Sequence, residues 1–408
     1  MTIKTAFTFI LLLSSIIFTQ SAFAENPKAP NGKNGKEKKE KTVAELIKDQ
    51  TVYDGFLDFY QDPKTGSLML SLSKDQFNKP MIYFIHTVNG VLDAGHFKGA
   101  YRETKLLEFR KHFDKIEIVV TNPRFYIDEN SAINRSEGTN TSSAILATIK
   151  IEAHDEKTGK YLVKVDPVLL SEAIHKVSPY PRPPVPGAPP PPPRFEVGGL
   201  SKEKTKYAGI RSFPKNTDVV VEYVFDNPKP MAGGGSEITD VRTVSIKMQH
   251  SFIEIPENDF KSRRDDARVG YFTQQVDDLS SDSWTPYRDV INRWHLVKKD
   301  PSAELSEPVE PIVWWIENTT PVEWREVIAK ATLEWNSAFE KAGFKNAIEV
   351  KVQPDDADWE AGDIRYNVLR WTASPRPPFG GYGPSLANPL TGQIIAADVM
   401  LEYSFMKS

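Results

Sequence analysis

Any transition-metal site here must be built from histidine and carboxylate, because the 408 residues include no cysteine. The histidines are His86, His96, His112, His154, His175, His250 and His295. No two of them stand four apart on a helix, so the H-E-x-x-H zinc pair is missing. His86 and His96 flank Asn89-Gly90 and are the pair that a turn could bring together, although ordinary strand and loop histidines explain them as well. His295, in Arg293-Trp-His-Leu296, reads as a packed or capping residue. Lack of cysteine also excludes thiol nucleophiles, iron–sulfur clusters and disulfides. Ser385 lies in a Gly-rich loop, Gly383-Pro-Ser-Leu386, without a G-x-S-x-G elbow and with no histidine after it. The acidic run Asp355-Asp356, Asp358, Glu360 lacks EF-hand spacing and reads as a solvated loop. Arg263-Arg264-Asp265-Asp266 and Asp277-Asp278 read as surface charge on the same grounds.

The elements that position these residues follow from composition and pattern. The chain is 39% hydrophobic and 26% charged, which is globular composition. Its length predicts two or three domains, at roughly 100–200 residues each. Lys and Arg number 51 against 55 Asp and Glu, so no strong field points to nucleic acid or an anionic membrane. Lys4, the apolar run Ala6 to Phe18 and Ser21-Ala-Phe-Ala24 form a secretory signal peptide over residues 1–24, which predicts a periplasmic or secreted protein. Residues 25–42, including Lys33-Asn-Gly-Lys-Glu-Lys-Lys-Glu-Lys41, read as a flexible leader.

Residues 43–300 carry strand signals. Gly55 to Tyr60 and Ser67 to Ser73 flank the turn residues Asp62-Pro-Lys-Thr-Gly66 and predict a hairpin. Met81 to Ile85 predicts a buried strand. Leu106 to Phe109 with Lys115 to Val120 predicts a second hairpin, and alternation at Ile116, Ile118 and Val120 fits a half-buried antiparallel sheet. Ala144 to Ala153, Tyr161 to Val165, Thr217 to Phe225 and Val241 to Ile255 are further strands. Pro179 to Pro193 predicts a polyproline surface excursion, and Met231 to Ser236 a flexible loop.

From residue 301 the order becomes strand, long helix, strand, strand, strand. Thr320, Pro321 and Glu323 predict an N-cap, an N1 proline and a capping box. Trp324, Ile328, Ala331, Trp335, Ala338 and Ala342 form one apolar stripe, and Gly343 ends the helix. The strands are Pro311 to Ile316, Ile348 to Val352, Ile364 to Trp371 and Ile394 to Tyr403, with Thr372 to Leu390 as a loop. The fold class is therefore α+β, with a mainly antiparallel domain followed by a mixed sheet and one long packed helix.

Residues 290–403 resemble the start of a metzincin-like catalytic domain, in the large bacterial zinc-dependent metalloproteases that carry β-rich amino-terminal domains. The resemblance rests on Ile291 to Pro301, Glu310-Pro-Ile-Val-Trp-Trp-Ile316, Trp335 to Phe344, Asp363 to Trp371 and Asp398-Val-Met-Leu-Glu-Tyr403. Arg268-Val-Gly-Tyr-Phe272 adds to it. It implies an exported zinc endopeptidase with a peptide or protein substrate and zinc in the complete protein. The expected next element is the H-E-x-x-H helix, where zinc activates water and polarises the scissile carbonyl. That motif does not occur in these 408 residues, so no zinc ligand or catalytic residue carries over and the chain alone is expected to be inactive. What carries over is a substrate strand. Ile394 to Tyr403 is expected to be the sheet edge that pairs with an extended peptide, with Ile395, Ala396, Ala397, Asp398 and Val399 as substrate-binding residues and Gly380-Gly381 and Gly383 as its rim. The alternative is an exported, non-catalytic β-rich module that binds peptide or envelope components.

Overall fold

Twelve antiparallel strands build the first sheet in the computed structural model, which describes residues 41–180, 194–375, 377 and 379–406. The segment expected to be a signal peptide, the expected leader up to Glu40 and most of the proline-rich stretch lie outside the described residues. The strands are β1 (Thr51–Tyr53), β2 (Asp58–Gln61), β3 (Leu68–Leu72), β4 (Met81–Asn89), β5 (Tyr101–His112) and β6 (Lys115–Thr121), then β7 (Ala144–Asp155), β8 (Lys160–Lys164), β9 (Gly199–Leu200), β10 (Lys206–Phe213), β11 (Asn216–Asp226) and β12 (Thr243–Ile253). Their order is β1-β2-β3-β8-β7-β6-β5-β4-β12-β11-β9, with β10 also paired to β11. The expected hairpins form. Gly66 closes the first turn at φ 73°, its N–H donating to Asp62 O at 2.8 Å.

Burial explains the patterns. Met81, Tyr83 and Ile85 face a core shared with Val219, Tyr223 and Phe225, while Ile82 and Phe84 face the second sheet. A strand buried on both faces reads as a continuous apolar run. On β6 the alternation breaks where the register with β7 shifts at Ile118/Val119, which buries Val119 and leaves Val120 half-buried.

The two ends of this sheet meet. Phe56 N–H donates to Phe213 O at 2.8 Å, and Leu57 N–H to Thr217 Oγ1 at 3.0 Å. A Cβ on Gly55 would sit 2.4 Å from Ser212 Oγ and 2.7 Å from Phe213 O, so only glycine permits this approach. Gly55→Ala is expected to lower stability by about 1–3 kcal/mol, as overpacking does. Urea unfolding checks this, and a change below 0.5 kcal/mol (roughly the scatter of surface substitutions) contradicts it.

The second sheet contains β13 (Ile312–Ile316), β14 (Ile348–Val352), β15 (Asn367–Thr372), β16 (Gly381–Tyr382), β17 (Ser385–Ala387) and β18 (Ile394–Glu402). Its order is β14-β13-β15-β18-β16, with β17 also on β18. The first four strands in that order are mutually parallel, and β16 and β17 run antiparallel to β18. Helix α1 (Val322–Leu333) packs Trp324 and Ile328 on Trp314, Ile316 and Val350.

The helix departs from expectation at both ends. Pro321 is the N-cap and no capping box forms. Thr320 turns inward with its hydroxyl unpartnered, while Arg325 folds back to donate to Thr320 O and Asn318 O, at 2.9 and 2.8 Å. After Leu333 the helix breaks and resumes as α2 (Asn336–Lys341). The break brings the Asn336 amide onto Ile348, where it donates to Ile348 O at 3.0 Å and accepts from Ile348 N–H at 2.8 Å. The inward stripe therefore runs through Thr332, Asn336 and Phe339, and Ala331, Trp335 and Ala338 face solvent. Gly343 follows α2 at φ 91°, as a C′ glycine should.

Candidate functional site

The strand carrying Ile395, Ala396, Ala397, Asp398 and Val399 is not the sheet edge. On one side Asp398 and Val399 pair with Val368 and Leu369. On the other, Ala397 and Ala396 pair with Ser385 and Leu386, and Ile395 sits at the bulge where the register shifts. The cause is the Asn388-Pro-Leu-Thr-Gly392 turn. Asn388 N–H donates to Gln393 O at 2.8 Å and Gly392 N–H to Asn388 O at 2.9 Å, which folds residues 385–387 back onto 394–397. The stretch read as loop thus supplies the true outer strands, β16 and β17. The Asn-Pro-x-Thr-Gly turn between two apolar segments is the hairpin signal that reveals them.

Asp398 belongs instead to a buried junction between the two sheets. It accepts hydrogen bonds from Tyr101 Oη of β5 (3.3 Å), Val368 N–H (3.3 Å) and Arg370 Nη1 (3.4 Å). Burial pushes its carboxyl up to about 6 against the pull of Arg370. Gln249 of β12 donates to Gly362 O at 2.8 Å. His86 of β4 stacks on Phe84, and neither ring nitrogen has a partner. A Cβ on Gly362 would lie 2.8 Å from His86 Nε2. The cavity beside His86 is about 10 Å³, at most one water in size, so this junction holds the sheets together and admits no substrate. The described residues from Lys41 onward cluster as one compact unit.

A larger cleft, about 470 Å³, opens along the outer strands. Arg102 and Glu103 of β5, Phe272, Asn292, Tyr382 and Ser385 line it. No other strand pairs with the outer side of β16 or β17 among the described residues. The volume suits a peptide side chain or small ligand. No histidine lines the cleft, so Ser385 has no base there. Nothing in the local sequence around Arg102 or Glu103 marks them, because only the packing of the two sheets brings them to Tyr382.

His86 and His96 have separate surroundings. His96 Nε2 meets Val177 O at 2.9 Å, and Nδ1 meets Arg102 Nη2 at 2.9 Å. His250 lies between the Tyr83 and Tyr223 hydroxyls, at 2.8 Å each. His175 Nδ1 bonds Glu103 Oε2 at 2.8 Å, and His295 Nε2 lies 3.0 Å from Asp259 Oδ1. No three His, Cys, Asp or Glu gather as a metal-binding group among the described residues. Asp355, Asp356, Asp358 and Glu360 are exposed, as a solvated loop requires.

Residues 99–299 match the model of a domain of unknown function, DUF5117. That span, just under half the chain, begins ahead of β5 and ends ahead of β13. It leaves out β1 to β4, although β4 lies between β5 and β12 in the same sheet. No curated protein sequence and no solved structure matches the chain. Among the described residues, no helix is long and apolar enough to cross a membrane.

Proposed function

We propose that these residues form the front of an exported zinc-dependent endopeptidase, with β16 and β17 as the strands that receive an extended substrate. The observation that carries the reading is the second sheet, four parallel strands with a packed helix and an outer antiparallel hairpin arm facing an open cleft. This arrangement agrees with the mixed sheet that the sequence resemblance implies. A peptide lying along an outer strand gains main-chain hydrogen bonds and places alternate side chains in the cleft. The substrate strand moves from Ile394–Glu402 to Gly381–Ala387, since only the latter is an edge. Export rests on the signal-peptide pattern of residues 1–24.

Zinc would polarise the scissile carbonyl and activate water. The described residues do not fit as its ligands, so the reading places neither the zinc nor a catalytic step on their side chains. Protein isolated from its source is expected to cleave unfolded protein substrates, to lose more than about 90% of that activity on zinc chelation (a tenfold loss, about 1.4 kcal/mol in barrier) and to regain it with added zinc. Cleavage that persists through chelation contradicts the reading.

A further inference from the structure

Arg102 is a half-buried cation without a carboxylate partner among the described residues. Its Nη2 meets His96 Nδ1 at 2.9 Å. His96 Nε2 must carry the proton, because it faces the Val177 carbonyl at 2.9 Å. Nδ1 is then an acceptor, the ring is neutral, and the guanidinium charge stays uncompensated. Among the described residues, the only carboxylate lining the cleft beside Arg102 is Glu103, and it is already bound to His175 Nδ1 at 2.8 Å and Lys105 Nζ at 2.9 Å. Among the described residues the cleft therefore has one free charge, and it is positive. A carboxylate placed there would make charge-assisted hydrogen bonds to a planar donor group. Tyr382 and the largely exposed Phe272 flank the position with aromatic surface.

We infer that the cleft selects extended peptides bearing an acidic side chain, with Arg102, contributed by the β-rich domain, as the specificity-determining residue. This rests on the reading that β16 and β17 pair with a peptide main chain. It also makes the β-rich domain a wall of the binding site and not a detachable companion.

The test uses the full chain and fluorescence anisotropy with labelled, end-capped, extended peptides that differ only in a single Glu, Gln or Lys. Capping leaves the side chain as the one variable charge. The Glu peptide is expected to bind about tenfold more tightly than the Gln peptide, with Lys weakest. Arg102→Gln should erase the preference, and Arg102→Lys, which keeps the charge and is the milder change if Arg102→Gln fails to fold, should retain part of it. Equal binding of Glu and Gln peptides overturns the inference and leaves the strand-edge reading standing, as does a preference that survives in Arg102→Gln. If no peptide binds, the strand-edge reading falls and this inference falls with it.

Discussion

Asp398→Ala is expected to destabilise the protein by about 3–5 kcal/mol, because it leaves Arg370 as an unpaired charge in the sheet junction. Arg370 is only 3% exposed, and its Nε already lacks a partner. The guanidinium cannot reach water without separating the two sheets, and the Tyr101 hydroxyl loses its acceptor as well. Pairing the change with Arg370→Met should recover most of the loss, since removing both charges removes the penalty that either alone creates. Urea unfolding of the single and double variants measures this. A single-variant loss below about 1 kcal/mol, the range of an exposed pair, contradicts the assignment of Asp398 to the junction.

Acid should weaken the fold through three buried histidines. Burial, then Arg370 and Arg211, pull His86 down to about 3. Burial pulls His250 down to about 3, and burial with Arg102 pulls His96 down to about 4. Unfolded, each titrates near the ordinary 6.5. The unfolded chain therefore takes up protons first, so the histidine contribution is full above about pH 6.5 and is lost as pH falls towards 3. Asp398 and Asp218 act in the opposite sense. Both are raised by burial to about 6 from 3.8, so their contribution is full below pH 3.8 and is lost as pH rises through 6. The two sets oppose each other between pH 6 and 4, and below about 4 the raised carboxylates no longer offset the histidine loss, which is joined there by that of carboxylates held below their ordinary range, Glu103 and Glu402 among them. Because a tenfold change in proton affinity is worth about 1.4 kcal/mol, His86 and His250 each account for about 4 kcal/mol by pH 3. His86→Leu should be nearly neutral at pH 7, where its ring nitrogens bond nothing. It should also flatten the acid slope by one proton. His250→Leu should instead lose stability at pH 7, by stripping the Tyr83 and Tyr223 hydroxyls of their partner. An acid slope unchanged in His86→Leu contradicts the account.

Much of the architecture was legible where local chemistry and tertiary role coincide. Asp62 to Gly66 carry turn residues that do what such residues do in isolation. Met81 to Ile85 is apolar throughout because both of its faces are buried. The helix start misled because Thr320 is drawn inward by packing while Arg325 satisfies the carbonyls before the first turn. The helix stripe drifted by one residue after Ile328 because Asn336 is held by the first residue of β14. The outer strands were hidden by length and composition, since Gly381-Tyr382 and Ser385 to Ala387 are short and separated by Gly-Pro. The cleft was the least visible feature. Arg102 and Tyr382 lie 280 positions apart in the chain, and neither has a local pattern that announces the other.

The proposal under test is that these residues belong to an exported zinc peptidase. The most direct test is the intact mass of the protein purified from its source, with its zinc content measured on the same sample. The account predicts a mass well above 46.0 kDa and close to one tightly held zinc per chain. A mass slightly below 46.0 kDa without zinc contradicts it.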